Sequence, residues 1–329
     1  MKNSTLKVLA VFLALTVASS LSVAALANGT AIESPAIKNT APIAENLEYE
    51  TFRGVALTGR FKALDPDGDL LTFEITSAPK KGSVAPGDNA SFVYTPTEKS
   101  RGKDTFSYVA VDENGGVSSA ATITINLRKQ TTKTTYADMD GSPAHYAAIT
   151  LAERGVFTGE QLGGEYFFKP EDTVTRSEFL AMCLKTAGNE PISGITRTGF
   201  SDDADIPLWV KPYVSAGLMG GIVGGYKTDN GQHVFNPNAP ITFSEAAVIL
   251  NKTLGISDVT GVATVDTEYV PAWAVTAASN LSACNILPAG LSANAENTLT
   301  RADAAELLAA SCVVLDARKD DKGLLAWAR

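Results

Sequence analysis

Three short strings in the second half of the chain place a hydroxyl and a carboxylate three positions apart, and two of them add a guanidinium between. They are Thr175-Arg176-Ser177-Glu178, Thr242-Phe243-Ser244-Glu245 and Thr300-Arg301-Ala302-Asp303. A Thr followed three residues later by Glu or Asp is the pattern of a reciprocal helix cap. The hydroxyl accepts from a free N–H of the first turn, and the carboxylate accepts from the cap's own N–H. The carboxylate also suits the positive end of the helix dipole. The residue directly after the Thr is expected to point outward and to be free for binding. In two strings it is arginine, and a guanidinium beside the unpaired N–H groups of a helix start favours a carboxylate or a phosphate. One such string alone reads as an ordinary capped helix with a solvated arginine; three in register argue for a repeated binding unit.

The surrounding elements repeat as well. Each string follows an apolar residue (Val174, Ile241, Leu299), and Thr175, Thr242 and Thr300 fall 67 and 58 positions apart, a three-fold internal repeat. Phe168-Lys169-Pro170 precedes Thr175 at the spacing with which Phe235-Asn236-Pro237 precedes Thr242. Further upstream stand Pro207-Leu208-Trp209 and Pro271-Ala272-Trp273, with Pro143-Ala144-His145-Tyr146 as a looser counterpart. Glycine turns follow two of these, at residues 155–159 and 221–226, and acidic leaders open two units at Tyr136-Ala137-Asp138 and Phe200-Ser201-Asp202. The helices after the caps carry apolar faces at i, i+3, i+4: Phe179, Met182 and Cys183; Ala246, Ile249 and Leu250; Ala304, Leu307 and Leu308. These faces are expected to form the seams of a bundle and to carry no chemistry.

In this order the elements resemble the S-layer homology (SLH) domain in three tandem copies, over residues 136–193, 194–257 and 258–316. The resemblance implies a mainly α pseudo-trimeric helical bundle in which each repeat gives one helix to the centre. It also implies binding of a secondary cell-wall polymer, often bearing pyruvylated N-acetylmannosamine, in grooves between repeats. The groove residues it implies are Arg176, Glu178, Trp209, Glu245, Trp273, Arg301 and Asp303. Two departures limit the transfer. Phe243 stands where the other repeats have arginine, and the third repeat has Ala293-Asn294-Ala295-Glu296 in place of the aromatic-Pro loop, with a degraded glycine turn at residues 286–290. One or two competent grooves are expected rather than three. Trp209 and Trp273 read either as partial core near a helix start or as platforms for a sugar ring, since an indole offers an apolar face and one donor.

Residues 41–127 change character, to Thr, Val, Phe, Asp and Gly with period-two alternation. Strands are expected at 71–75, 91–95, 105–111 and 121–125, separated by turns at Asp67-Gly68, Lys81-Gly82 and Asn114-Gly115-Gly116. Short strands at this spacing predict an all-β sandwich. Asn39-Thr40-Ala41-Pro42, Asp65-Pro66-Asp67-Gly68-Asp69, Tyr94-Thr95-Pro96 and Gly102-Lys103-Asp104-Thr105-Phe106-Ser107-Tyr108 together resemble bacterial Ig-like/cadherin-like surface repeats. Asp65, Asp67 and Asp69 set alternate carboxylates in a way that suits calcium, with Asp104 and Asp112 as further candidate ligands. An EF-hand loop is excluded, because its twelfth position would be Thr76. An Asp-rich turn needs no metal, so both readings stand.

The rest sets the context. Lys2 and Lys7 precede an apolar run and then Ala25-Leu26-Ala27, so residues 1–27 are expected to be an export signal and the mature chain to start near Asn28. Residues 28–40 and 128–135 read as linkers, and 317–329 as a tail that is either a last helical turn or a frayed end. The apolar run of the signal is too short to span a bilayer, and no later stretch is suited to it. A net charge of −9 argues against nucleic acid and leaves anion binding to local cationic pockets. The odd count of three cysteines, all on apolar helix faces, gives no disulfide framework. The expectation is a non-enzymatic, secreted protein of the cell wall or S-layer, held by its repeats on a secondary polymer or on peptidoglycan. It would present or space the Ig-like domain. The alternatives are an adhesin whose Ig-like domain binds a glycan or protein, and, with least support, a wall-glycan hydrolase. Only His145 and His233 are available for nucleophile–histidine chemistry, and no third domain of catalytic size is present.

Overall fold

The structure is a computed structural model that describes residues 39–257, 270–287 and 297–327, with side chains as far as residue 319. The export signal, all but the end of the 28–40 linker, the opening of the third repeat at 258–269, and residues 288–296, which include Ala293-Asn294-Ala295-Glu296, lie outside the described residues.

The N-terminal region is all β, with strands β1 (Ile43–Ala44), β2 (Leu47–Phe52), β3 (Leu57–Arg60), β4 (Ala63–Leu64), β5 (Leu71–Ser77), β6 (Gly82–Pro86), β7 (Ser91–Pro96), β8 (Gly102–Asp112) and β9 (Ala121–Arg128). A four-stranded sheet runs β2-β9-β8-β5 and a three-stranded sheet β3-β7-β6. Only β2 and β9 pair parallel within these two sheets. The alternation seen in the sequence decides which side chains turn inward. Phe92 and Tyr94 from β7, Phe106 and Tyr108 from β8, and Ile123 and Ile125 from β9 meet in one buried core fed by both sheets.

Among the described residues the C-terminal region holds six α-helices: α1 (His145–Glu153), α2 (Arg176–Thr186), α3 (Lys211–Met219), α4 (Phe243–Leu254), α5 (Val275–Ala283) and α6 (Arg301–Trp327). Two hairpins join them, β10 (Glu160–Leu162) with β11 (Glu165–Phe167), and β12 (Tyr226–Lys227) with β13 (His233–Val234). The apolar faces read from the sequence on α2, α4 and α6 are all buried. Helix α6 continues through residues 317–327, so that part of the tail is helix.

The helices pack in pairs. Helix α3 packs on α2, α5 on α4 and α1 on α6, while α2 touches both α4 and α6. Just before the caps, three backbone hydrogen bonds close a ring. Val174 donates to Leu299 at 3.0 Å, Leu299 to Ile241 at 2.9 Å and Ile241 to Val174 at 2.9 Å. All three side chains are buried, so each apolar residue that precedes a cap ties its own helix start to that of another.

The two regions share a core. Phe52 and Val55 from the β region are buried among the helices, and the Phe52 ring lies 5.6 Å from that of Tyr146 on α1. The connecting segment is pinned by Glu153, whose carboxylate accepts the N–H groups of Thr131 and Thr132 as well as both hydroxyls. Burial works to raise the Glu153 carboxyl, but these bonds outweigh it and hold the group down at about 2.

Candidate functional site

The three strings do form caps. Thr175 N–H donates to Glu178 Oε2 at 2.9 Å, and Glu178 N–H returns to Thr175 Oγ1 at 3.3 Å. The corresponding distances are 3.1 and 3.3 Å for Thr242 and Glu245, and 2.9 and 3.2 Å for Thr300 and Asp303. Glu178, Glu245 and Asp303 therefore each commit one oxygen to holding a helix start.

The residue after each Thr does not point outward, and here the structure corrects the sequence reading. Arg176 is 7% exposed and Phe243 1%. The N–H groups beside them are not free either. Arg176 donates its backbone N–H to Ala239 O at 2.9 Å, Phe243 to Asn297 O at 3.0 Å and Arg301 to Asp172 O at 2.8 Å. The next N–H follows suit, from Ser177 to Pro237 O and from Ala302 to Pro170 O. Each helix start is plugged into a loop of another repeat, so these N–H groups are not open to an anion.

Arg176 lies between two rings contributed by the second repeat. Its guanidinium carbon is 4.8 Å from the centre of Tyr226 and 5.4 Å from that of Phe235, distances at which a cation is attracted to a ring face. Its Nη1 is 3.8 Å from Glu245 Oε1. Among the described residues the guanidinium makes no hydrogen bond, and its buried Nε has no partner. Glu245 is engaged elsewhere, for Tyr226 OH donates to its Oε1. Burial first, and then this bond, push the Tyr226 phenol well above its usual range, so it stays a donor.

Arg301 occupies the corresponding place against the first repeat, 5.5 Å from the Phe157 ring. Its guanidinium makes three hydrogen bonds. Nη1 and Nη2 both reach Glu160 Oε1 at 3.2 Å, Nη1 also reaches Phe168 O at 3.3 Å, and Asp172 Oδ2 lies 3.8 Å away. Lys169 Nζ holds the other Glu160 oxygen at 2.6 Å. The Lys169 hydrogen bond, followed by that of Arg301, keeps the Glu160 carboxyl below its ordinary value.

The acidic leaders position the aromatic loops. Asp138 accepts the N–H groups of Phe168 and Lys169, and Asp202 those of Phe235 and Asn236. Lys169 and Asn236 take left-handed φ values of 55° and 58°, a strained turn that two backbone bonds to a carboxylate offset. Gly159 and Gly225 bring the hairpins close over these loops. A Cβ would sit 2.3 Å from Phe167 O at the first and 2.6 Å from Val234 O at the second. The residues immediately after them, Glu160 and Tyr226, face the two arginines and were not among the residues singled out from the sequence. Their place directly behind the last glycine of each turn is the signal that marks them.

The tryptophans are surface residues rather than core, Trp209 57% exposed and Trp273 59%. Among the described residues no ring contact, hydrogen bond or ion pair joins either one to Arg176 or Arg301. A cavity of about 490 Å³ also lies away from the arginines, between the β region and the helices, lined by Tyr49, Arg60, Tyr146, Ile286 and Glu306 among others. The buried, unpartnered Nε of Arg176 is the sharper pointer to a ligand.

In the β region, ligand atoms of Asp65, Asp69 and Asp112 lie within 4.8 Å of one another. Asp112 is 4% exposed, and Asp65 Oδ2 is buried without a hydrogen-bond partner. Asp67 turns instead to the N–H of Thr40 at 2.6 Å. Asp104 sits elsewhere, accepting from Lys80 N–H, Lys81 N–H, Thr105 N–H and Tyr94 OH.

Comparison with known proteins agrees with this division. Residues 39–129 match the bacterial cadherin-like domain, and residues 135–180 and 199–247 match the S-layer homology domain. The two matches follow one another along the chain, the S-layer homology match in two segments; the third repeat read from the sequence lies outside the matched residues. A surface-layer 125 kDa protein of Lysinibacillus sphaericus is 29% identical over 126 residues, which is 38% of this chain and 10% of that protein. The chain spans about a tenth of the length of that curated relative. Among solved structures, the SrpA adhesin of Streptococcus sanguinis aligns at 25% identity and TM-score 0.24 over 31% of this chain and 64% of the other. An endo-fucoidan hydrolase of glycoside hydrolase family 107 aligns at 21% identity and TM-score 0.24 over 29% and 14%. Likeness at that level carries no argument about activity.

Proposed function

We propose that this is an exported, non-enzymatic protein of the bacterial cell surface, held non-covalently on the wall by its helical repeats, with the cadherin-like domain carried as a fixed extension of the anchor. The repeats form a pseudo-trimeric unit; the ring through Val174, Leu299 and Ile241 and the pairing of α3 with α2, α5 with α4 and α1 with α6 support this reading. Its ligand is an acidic secondary wall polymer of the pyruvylated N-acetylmannosamine class, and Arg176 is the residue that takes the acid.

The observation that carries the reading is the state of that guanidinium. A buried charge normally gathers hydrogen bonds, since removing it from water costs several kcal/mol or more. Arg176 has none among the described residues, while Tyr226 and Phe235 hold it in place. A carboxylate entering the groove would complete it with charge-assisted bonds. Glu178, Asp303 and Glu245 act by holding the helix starts, and exposed Trp209 and Trp273 offer faces for further sugars along the polymer. The test is binding of the chain to isolated walls with Arg176→Met beside the wild type. Loss of binding by a folded variant is expected, and undiminished binding would overturn the assignment.

Calcium is the proposed cation of the cadherin-like domain, at Asp65, Asp69 and Asp112. Three clustered carboxylates, one with a buried unpartnered oxygen, suit a hard cation.

A further inference from the structure

The two arginines stand at equivalent places yet differ in what surrounds them. Arg176 faces Tyr226, a neutral phenol that donates a hydrogen bond to Glu245, whose Oε1 stays 3.8 Å from Nη1 and out of hydrogen-bond reach. Arg301 faces Glu160, which spans Nη1 and Nη2 with a single oxygen, both at 3.2 Å. That is the place a ligand carboxylate would take on an arginine fork. Glu160 and Tyr226 each open a hairpin directly behind a glycine that passes close over the aromatic loop, so one position of the repeat decides the state of each pocket.

We infer that Glu160 is an internal occupant of the Arg301 anion seat, closing that pocket to acidic sugars and leaving Arg176 as the open one. The inference rests on the reading of the Arg176 groove as the polymer site. Two features make Glu160 a gate rather than a structural fixture. Its side chain is half exposed, while that of Arg301 is 14% exposed, so the carboxylate has water to leave to. It also neutralises two cations at once, Arg301 and Lys169. Removing it leaves both facing the groove, with only Asp172 Oδ2 nearby at 3.8 Å from Nη1. The chain therefore holds a second anion site in reserve, and the residue behind the glycine turn sets how many sites a chain of this kind displays.

The test is calorimetric titration of the full chain with the methyl glycoside of pyruvylated N-acetylmannosamine. The wild type is expected to show one site, lost in Arg176→Met. Glu160→Gln is expected to show a second, with affinity at that pocket raised by up to ~5-fold, in keeping with the small worth of a surface ion pair. Adding Arg301→Lys to Glu160→Gln should remove the second site while keeping the fold. Two sites in the wild type, or no second site in a folded Glu160→Gln chain, would overturn the inference. If the wild type shows no Arg176-dependent site but Glu160→Gln gains an Arg301-dependent one, the gate stands and the Arg176 reading fails. No binding by any form overturns both.

Discussion

Arg176 Nη1 lies 3.8 Å from Glu245 Oε1, close enough for charge attraction and too far for a hydrogen bond. The gap has a cause in the sequence pattern itself. Glu245 is the third residue after Thr242, and its Oε2 accepts the Thr242 N–H to cap α4. Its Oε1 accepts from Tyr226. The same capping motif that starts one helix thus withholds its carboxylate from the arginine of another, and leaves that arginine for a ligand.

Stability and binding should therefore separate at Arg176. Removing one partner of a buried ion pair is costly when it strands the other, but Glu245 keeps its bonds from Tyr226 and Thr242 and is not stranded by loss of an arginine that makes no hydrogen bond to it. Arg176→Met is expected to leave the melting temperature unchanged or raised while weakening wall binding ~10-fold or more, the cost of a charge-assisted pair of about 1.5–3 kcal/mol. Calorimetry beside a sedimentation assay checks both, and a large fall in melting temperature would make the arginine a structural residue.

The caps should behave as caps. Thr242→Ala removes the hydroxyl that accepts from Glu245 N–H and is expected to cost ~1 kcal/mol, a drop of about 2–4 °C in a unit of this size. The ring through Ile241 uses backbone atoms and should survive, so helix content by circular dichroism at 20 °C should not change.

Acid should weaken the fold at two named carboxylates. At Asp104, burial works to raise the carboxyl, but bonds from Lys80, Lys81, Tyr94 and Thr105 outweigh it and set it below its ordinary value. Asp203 is held at about 2, by Lys211 first and then by the Thr198 N–H. A carboxyl whose folded value is depressed adds stability at neutral pH and loses it as pH falls through that value. The melting temperature should therefore decline from about pH 4 downward, and less steeply in Asp104→Asn, which begins from a lower plateau.

Glu306 should act in the opposite sense. Burial, with Asp303 adding to it, raises its carboxyl from 4.5 to about 7. The folded chain then holds a proton that the unfolded chain has released, so stability falls as pH climbs from about 4.5 through 7. Glu306→Gln should flatten the change in melting temperature between pH 5 and pH 8, and an unchanged slope would contradict the assignment.

Calcium should raise the melting temperature of the full chain, with chelator reversing the gain. Asp69→Asn is expected to abolish that response and Asp67→Asn to leave it intact, since Asp67 is turned to Thr40. Equal loss in both variants would contradict the three-residue site.

Much of this was legible because periodicity and capping are local. The strands at 71–75, 91–95, 105–111 and 121–125 are present, each somewhat longer in the structure, since alternation marks the middle of a strand better than its ends. Strand β2 escaped notice because Glu48 and Glu50 stand on its outward face, and β3 because four residues carry little pattern. The three caps could be read from spacing alone. The direction of Arg176 and Arg301 could not, because it depends on which carbonyls of another repeat take the N–H groups at the helix start. Glu160 and Tyr226 were hidden for the same reason: their partners lie 141 and 19 positions away.

The most direct test of the anchoring claim is cosedimentation of the chain with purified cell walls, before and after chemical removal of the secondary polymer. The account predicts that the wild type pellets with intact walls, stays in solution once the polymer is removed, and loses binding to intact walls in Arg176→Met. Equal pelleting with stripped walls would assign the anchor to peptidoglycan and contradict the account.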